Sequence, residues 1–174
     1  TPSHLHFIEA NTSEVTLQHL RNDCITPVFA KDNELTLNHA LVIETVQEAA
    51  QDFFRGEIVD DAAIRVSHTI KGRIPEAIHK PANQLLESDK TIYYERMMFN
   101  IDVPTIWEDV NGNRQNLSIV GVRAYNHTNL MSKKAPQLVK LGIGFKNQVC
   151  CNMSIFTDGY KDDLRVSNTS ELYK

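Results

Sequence analysis

Cysteine, proline and glycine are scarce in this 174-residue chain, at 3, 6 and 7 residues. Cys24 and the adjacent pair Cys150 and Cys151 make an odd count. That excludes the even disulfide framework of a small secreted domain and points to a reducing, cytoplasmic setting. So little Gly and Pro, with 41% hydrophobic and 23% charged residues, excludes a collagen-like, low-complexity or disordered chain. No apolar run approaches the roughly 18 residues of a membrane span. No basic start leads through an apolar stretch to a small-residue cleavage site, so no membrane partner is expected. The most informative absence is local: Val110 to Thr157 contains no Asp or Glu.

That acid-free stretch carries Arg114, Arg123, Lys133, Lys134, Lys140 and Lys146, with Tyr125, Phe145 and Phe156 interleaved. The net charge of −4 therefore hides a division: residues 1–61 sum to −8 and residues 62–174 to +4. Lys and Arg contacts to phosphates, combined with base stacking on aromatics such as Tyr125, make single-stranded nucleic acid one expected partner. An acidic protein surface, including the acidic first third of another copy, is the other, and self-association would follow from it. A sequence pI of about 5.9 is low for a nucleic-acid-binding domain.

The clearest segment runs from Asn38 to Arg55. Asn38 caps a helix in which Val42, Val46, Ala49, Ala50 and Phe53 share one face, and Gly56 ends it. A shorter helix is expected from Thr12 or Ser13, with Leu17, Leu20 and Cys24 on one face. Ile25 to Ala30, interrupted by Pro27, reads as an edge or irregular strand, followed by a turn and a short strand Leu35 to Leu37. Alternation predicts strands over Ala63–Ile70 and Tyr93–Val103, with helical turns at Pro75–His79 and Pro81–Leu86 between them.

Asn111-Gly112 predicts a type I′ hairpin joining Ile106–Val110 to Gln115–Tyr125. A second hairpin is expected from Leu138–Phe145 and Val149–Phe156, with a turn at Thr157–Tyr160. Strands linked by short turns favour an α+β domain, a mostly antiparallel sheet of hairpins with helices on one face. The length suits one domain over 1–174. Its last residues, Ser167 to Lys174, read as a cap and first helical turn, as in the N-terminal part of a longer protein.

Chemistry-bearing motifs are few. The seven histidines form no ligand spacing, and neither C-x-x-C nor H-E-x-x-H occurs, so no metal is expected. Leu141-Gly142-Ile143-Gly144 lacks the third glycine of a dinucleotide fingerprint, and no Walker A or G-x-S-x-G pattern is present. Cofactors and catalytic residues are therefore expected to be none, and the loose echo of a metal-dependent nuclease in Glu76 with Lys80 carries little. Glu95 and Arg123 each interrupt an apolar strand face. Because an unpaired buried charge is costly, either the strand ends are exposed there, or the two pair or, with His68, line a polar pocket.

Several phrases recur in order: Phe7–Thr12 (FIEANT), Pro27–Glu34 (PVFAKDNE), Arg65–Lys80 (RVSHTIKGRIPEAIHK), Tyr93–Met98 (YYERMM), Gly121–Asn126 (GVRAYN) and Gly144–Gly159 (GFKNQVCCNMSIFTDG). In these the chain resembles a bacterial domain-of-unknown-function family of gut anaerobes, found with phage-like and conjugative elements and distantly similar to phage/plasmid-related proteins. The resemblance implies a mobile-element setting and a mostly helical continuation. It implies no activity, catalytic residue or cofactor.

Overall fold

In the computed structural model, residues 12–26, 37–125, 137–146, 156–166 and 168–174 are described. The Asn38 side chain accepts the Leu41 amide at 2.8 Å, as the cap reading requires, and opens a helix over His39–Phe53. With Leu17–Asn22 as the first helix, this is α2, and Thr169–Tyr173 is α3. The buried face of α2 is Val42, Ile43, Val46 and Ala50. Phe53, expected on that face, is instead 81% exposed. The helix ends one residue later at a Phe54 cap, and Phe54 packs against the core in its place. Gly56 follows at φ +86°, the left-handed conformation expected of the residue that stops a helix.

The strands are β1 Ser13–Val15, β2 Ala63–Val66, β3 Thr69–Arg73, β4 Lys90–Tyr94, β5 Arg96–Val110, β6 Asn113–Ala124, β7 Gln137–Lys146 and β8 Phe156–Val166. Six form one sheet in the order β1-β2-β5-β6-β7-β8, every pair antiparallel, and β3 pairs with β4 separately. The fold is α+β with the sheet dominant. Short helical turns at Pro75–Ala77, Ala82–Gln84 and Glu87–Asp89 join β3 to β4.

Four expectations about these elements are corrected. The first helix starts after Thr16, whose hydroxyl accepts the His19 amide; Ser13–Val15 is drawn into the sheet edge beside β2. The alternating run Ala63–Ile70 breaks at Ser67-His68, and the run Tyr93–Val103 breaks at Glu95, so each supplies a strand to both sheets. The partner of β7 is Phe156–Val166, so the Asp158-Gly159 pair read as a turn lies inside a strand. The expected strands ending at Val103 and starting at Ile106 are one strand, β5, in which Pro104 sits where pairing with β6 lapses and shifts register between Val103 and Trp107. Asn111 and Gly112, at φ 53° and 81°, make the expected hairpin turn between β5 and β6. The predicted strands Ile25–Ala30 and Leu35–Leu37 and the segment Val149–Ile155 lie largely outside the described residues.

Register assigns the two faces. Met97, Phe99, Ile101 and Val103 of β5 are fully buried, and Met97, Phe99 and Ile101 share a core with α1, α2, α3, Ile119 and Val139. Gly121 is required there: a Cβ would lie 2.3 Å from the buried Phe99 ring. The three described α-helices pack on this face. Met98, Asn100 and Asp102 point to the other face, which no described helix covers.

Candidate functional site

Two polar features stand out, one inside the core and one on the sheet face opposite the described helices. Inside, Arg123 projects among the helix-facing apolar residues and is 1% exposed. Its guanidinium lies 4.3 Å from the Tyr125 ring centroid, and its Nη1 donates to His39 Nδ1 at 3.4 Å. His39 Nε2 donates to the Tyr94 carbonyl at 2.7 Å, which fixes the neutral tautomer with Nδ1 as acceptor. Burial first, and the Arg123 charge second, lower the His39 pKa to about 3. The Tyr125 hydroxyl accepts the His39 backbone N–H at 2.9 Å and the Thr26 hydroxyl at 3.1 Å, fastening the start of α2 to the end of β6.

The expected pocket of Glu95, Arg123 and His68 is divided between two environments. Glu95 Oε2 meets His68 Nε2 at 3.4 Å at the surface. Arg123 is counted with His39 and Tyr125 in the core, and the two halves are linked through the Tyr125 N–H, which donates to the Glu95 carbonyl at 2.8 Å. The bend at Glu95 lets its carboxylate reach solvent instead of interrupting an apolar face.

A further arrangement went unseen in the sequence. His19 Nδ1 donates to Asp23 at 2.9 Å, and its Nε2 accepts from the Tyr94 hydroxyl at 2.8 Å, with Cys24 Sγ 3.6 Å away. Acid, imidazole and thiol stand in the order of a thiol triad. Burial and then Asp23 push the Cys24 thiol up to about 11, so it is protonated at neutral pH and packs as a small apolar group.

Among the described residues of the acid-free stretch, Arg114, Arg123 and Lys140 do not share one surface. Arg123 is withdrawn into the core. Arg114 stacks on Trp107 at 4.6 Å near the β5–β6 turn, beside Glu108 and Asp109. Lys140 is exposed on the sheet face opposite the described helices, in β7. Lys146 lies at the far end of β7, and Lys133 and Lys134 lie outside the described residues.

Register instead gathers a different set around Lys140. One row across this opposite face reads Arg65, Met98, Val122, Lys140, and the adjacent row reads Arg96, Ala124, Leu138, Arg165. Arg96, Lys140 and Arg165 are exposed, whereas Met98, Val122, Ala124 and Leu138 are half-buried. The face thus has an apolar centre with a cation at each corner, about 14 Å across at three strand spacings. Glu14 opposite Arg65 moderates the charge of the first row; Arg96 and Arg165 face Ala124 and Leu138. Arg65 also donates to the Thr12 hydroxyl at 2.9 Å. Arg65, Arg96 and Arg165 escaped notice because they lie outside the acid-free stretch and meet Lys140 only through strand order.

Beside this patch, Asp102 accepts from Asn100 Nδ2 at 2.9 Å and from the Ser118 hydroxyl. Asn100 is 1% exposed, and its Oδ1 is left without a hydrogen-bond partner. Among the described residues no group of three or more His, Cys, Asp or Glu can hold a metal ion, and no helix is long and apolar enough to cross a membrane.

A family model matches residues 2–174. The chain belongs to DUF3871, a domain of unknown function described as "B. Theta Gene description". No curated protein and no solved structure matches it. What a DUF3871 domain does must therefore be argued from its own surfaces.

Proposed function

We propose that this DUF3871 domain is a binding module whose sheet face opposite the described helices takes an acidic protein surface. The carrying observation is the patch itself: Arg65, Arg96, Lys140 and Arg165 at the corners of a half-buried apolar centre on four strands of one sheet. Apolar area supplies affinity, and corner charges supply steering and register. Single-stranded nucleic acid is the other class of partner the charge would admit, favoured by the acid-free stretch Val110–Thr157. It is the weaker reading, since no aromatic lies among these eight residues to stack a base. A cytoplasmic location and the mobile-element setting implied by the resemblance suit either partner.

Anisotropy titrations with labelled poly-L-glutamate and labelled oligothymidylate, on wild type and on an Arg96→Glu/Arg165→Glu variant, test the proposal. Poly-L-glutamate should bind wild type in a salt-dependent manner, and the variant should lose at least tenfold in affinity. Equal binding by the variant, or no binding at low salt, overturns it. Tighter binding of oligothymidylate through the same two arginines would transfer the face to nucleic acid.

A further inference from the structure

The opposite end of β5 differs in character from the patch. Ile58 is 59% exposed and Trp107, the chain's one tryptophan, is 51% exposed. The two are brought to the same end because the Ile58 amide donates to the hydroxyl of Thr105, two residues from Trp107, at 3.0 Å. Carboxylates crowd this end: Glu57, Asp60 and Asp61 follow α2, and Glu108 and Asp109 close β5. Asp60 donates its amide to the Asp102 carbonyl at 2.8 Å. Burial first, then the neighbouring Asp102 and Asp61, raise its pKa above the ordinary carboxylate value. Arg55 and Arg114 are the cations nearby in sequence, and Arg114 is engaged with Trp107 and with the Pro104 carbonyl at 2.9 Å.

We infer that the acceptor for this acid-rimmed apolar end is the cation-cornered sheet face of a second copy, so that copies associate head to tail. The inference rests on the binding-face reading above and names its partner. Each surface has what the other lacks: Ile58 and Trp107 within carboxylates on one, Met98, Val122 and Leu138 within cations on the other. The two surfaces are different patches of one chain. The contact is therefore heterologous, and each copy of a docked pair retains one unused surface, which makes an open chain or a ring and not a closed dimer. Like charges on the same surface disfavour the symmetric alternatives, end against end or face against face.

Sedimentation velocity across protein concentration, with emission of Trp107 recorded in parallel, tests this. The wild type should show mass rising beyond a dimer and a blue shift of Trp107, both reversed by salt. Arg165→Glu disables the face and Ile58→Lys disables the end, both at exposed sites; each variant alone should stay monomeric. Mixed, they should form a one-to-one dimer and stop, because only the end of the first and the face of the second remain competent. A wild type monomeric at all concentrations with unchanged emission, a wild-type dimer that stops at two, or a mixture that stays monomeric overturns the inference. If the protein is monomeric yet poly-L-glutamate still binds through Arg96 and Arg165, the head-to-tail partner fails while the binding face stands. If neither occurs, both fail.

Discussion

Arg123 Nη1 reaches His39 Nδ1 at 3.4 Å across the seam between β6 and the first turn of α2, with both residues buried. The contact holds a cation beside an imidazole that must stay neutral. Replacing Arg123 with Met should raise the His39 midpoint, followed through its imidazole resonances. The midpoint should still lie below 6.5, because burial is the larger cause and remains. Replacing Arg123 with Ala leaves Nδ1 without its donor, at a cost of about 1 to 3 kcal/mol by chemical denaturation.

The same residue sets a pH dependence. In the folded chain His39 does not take a proton until about pH 3, whereas in the unfolded chain it does so near 6.5. Its contribution is complete above 6.5 and is lost as pH falls through the window between those values, by about 1.4 kcal/mol per pH unit. His39→Gln should flatten stability against pH in that window. An unchanged slope would mean that the imidazole is not held neutral.

Helix α2 gives a contrast between a buried and an exposed apolar side chain. Ile43→Ala, at a fully buried site, should cost about 2 to 5 kcal/mol. Phe53→Ala should change stability by no more than about 0.5 kcal/mol, since the ring lies in solvent.

Gly121 should resist even a methyl group. Gly121→Ala drives a Cβ into Phe99, which is fully buried and cannot swing away, and should cost about 1 to 3 kcal/mol. Adding Phe99→Leu should recover part of that loss, and the coupling is read from a double-mutant cycle.

Local signals were legible where one side chain decides the backbone. Asn38 announces its helix, Asn111-Gly112 its turn, and Asn168 caps α3 by accepting the Glu171 amide at 2.9 Å. Strand breaks were not, because the period of two continues unchanged through Ser67-His68 and Glu95 and only pairing partners reveal the division. Asp158-Gly159 has turn chemistry, yet pairing with β7 overrides it. Phe53 and Phe54 differ by one residue, and the end of the helix decides which of them reaches the core. The site was the least legible. Lys140 was singled out for its charge, but its neighbours Arg65, Arg96 and Arg165 come from three other strands. Arg123 carried the same local signal as Lys140 and belongs to the opposite face.

The measurement that bears most directly on the binding face is residue-resolved amide shift mapping of the whole chain during titration with poly-L-glutamate at low salt. The account predicts perturbations concentrated at Arg65, Arg96, Met98, Val122, Lys140 and Arg165, fading as salt is raised. Perturbations confined to the helices, or none at all, would contradict it.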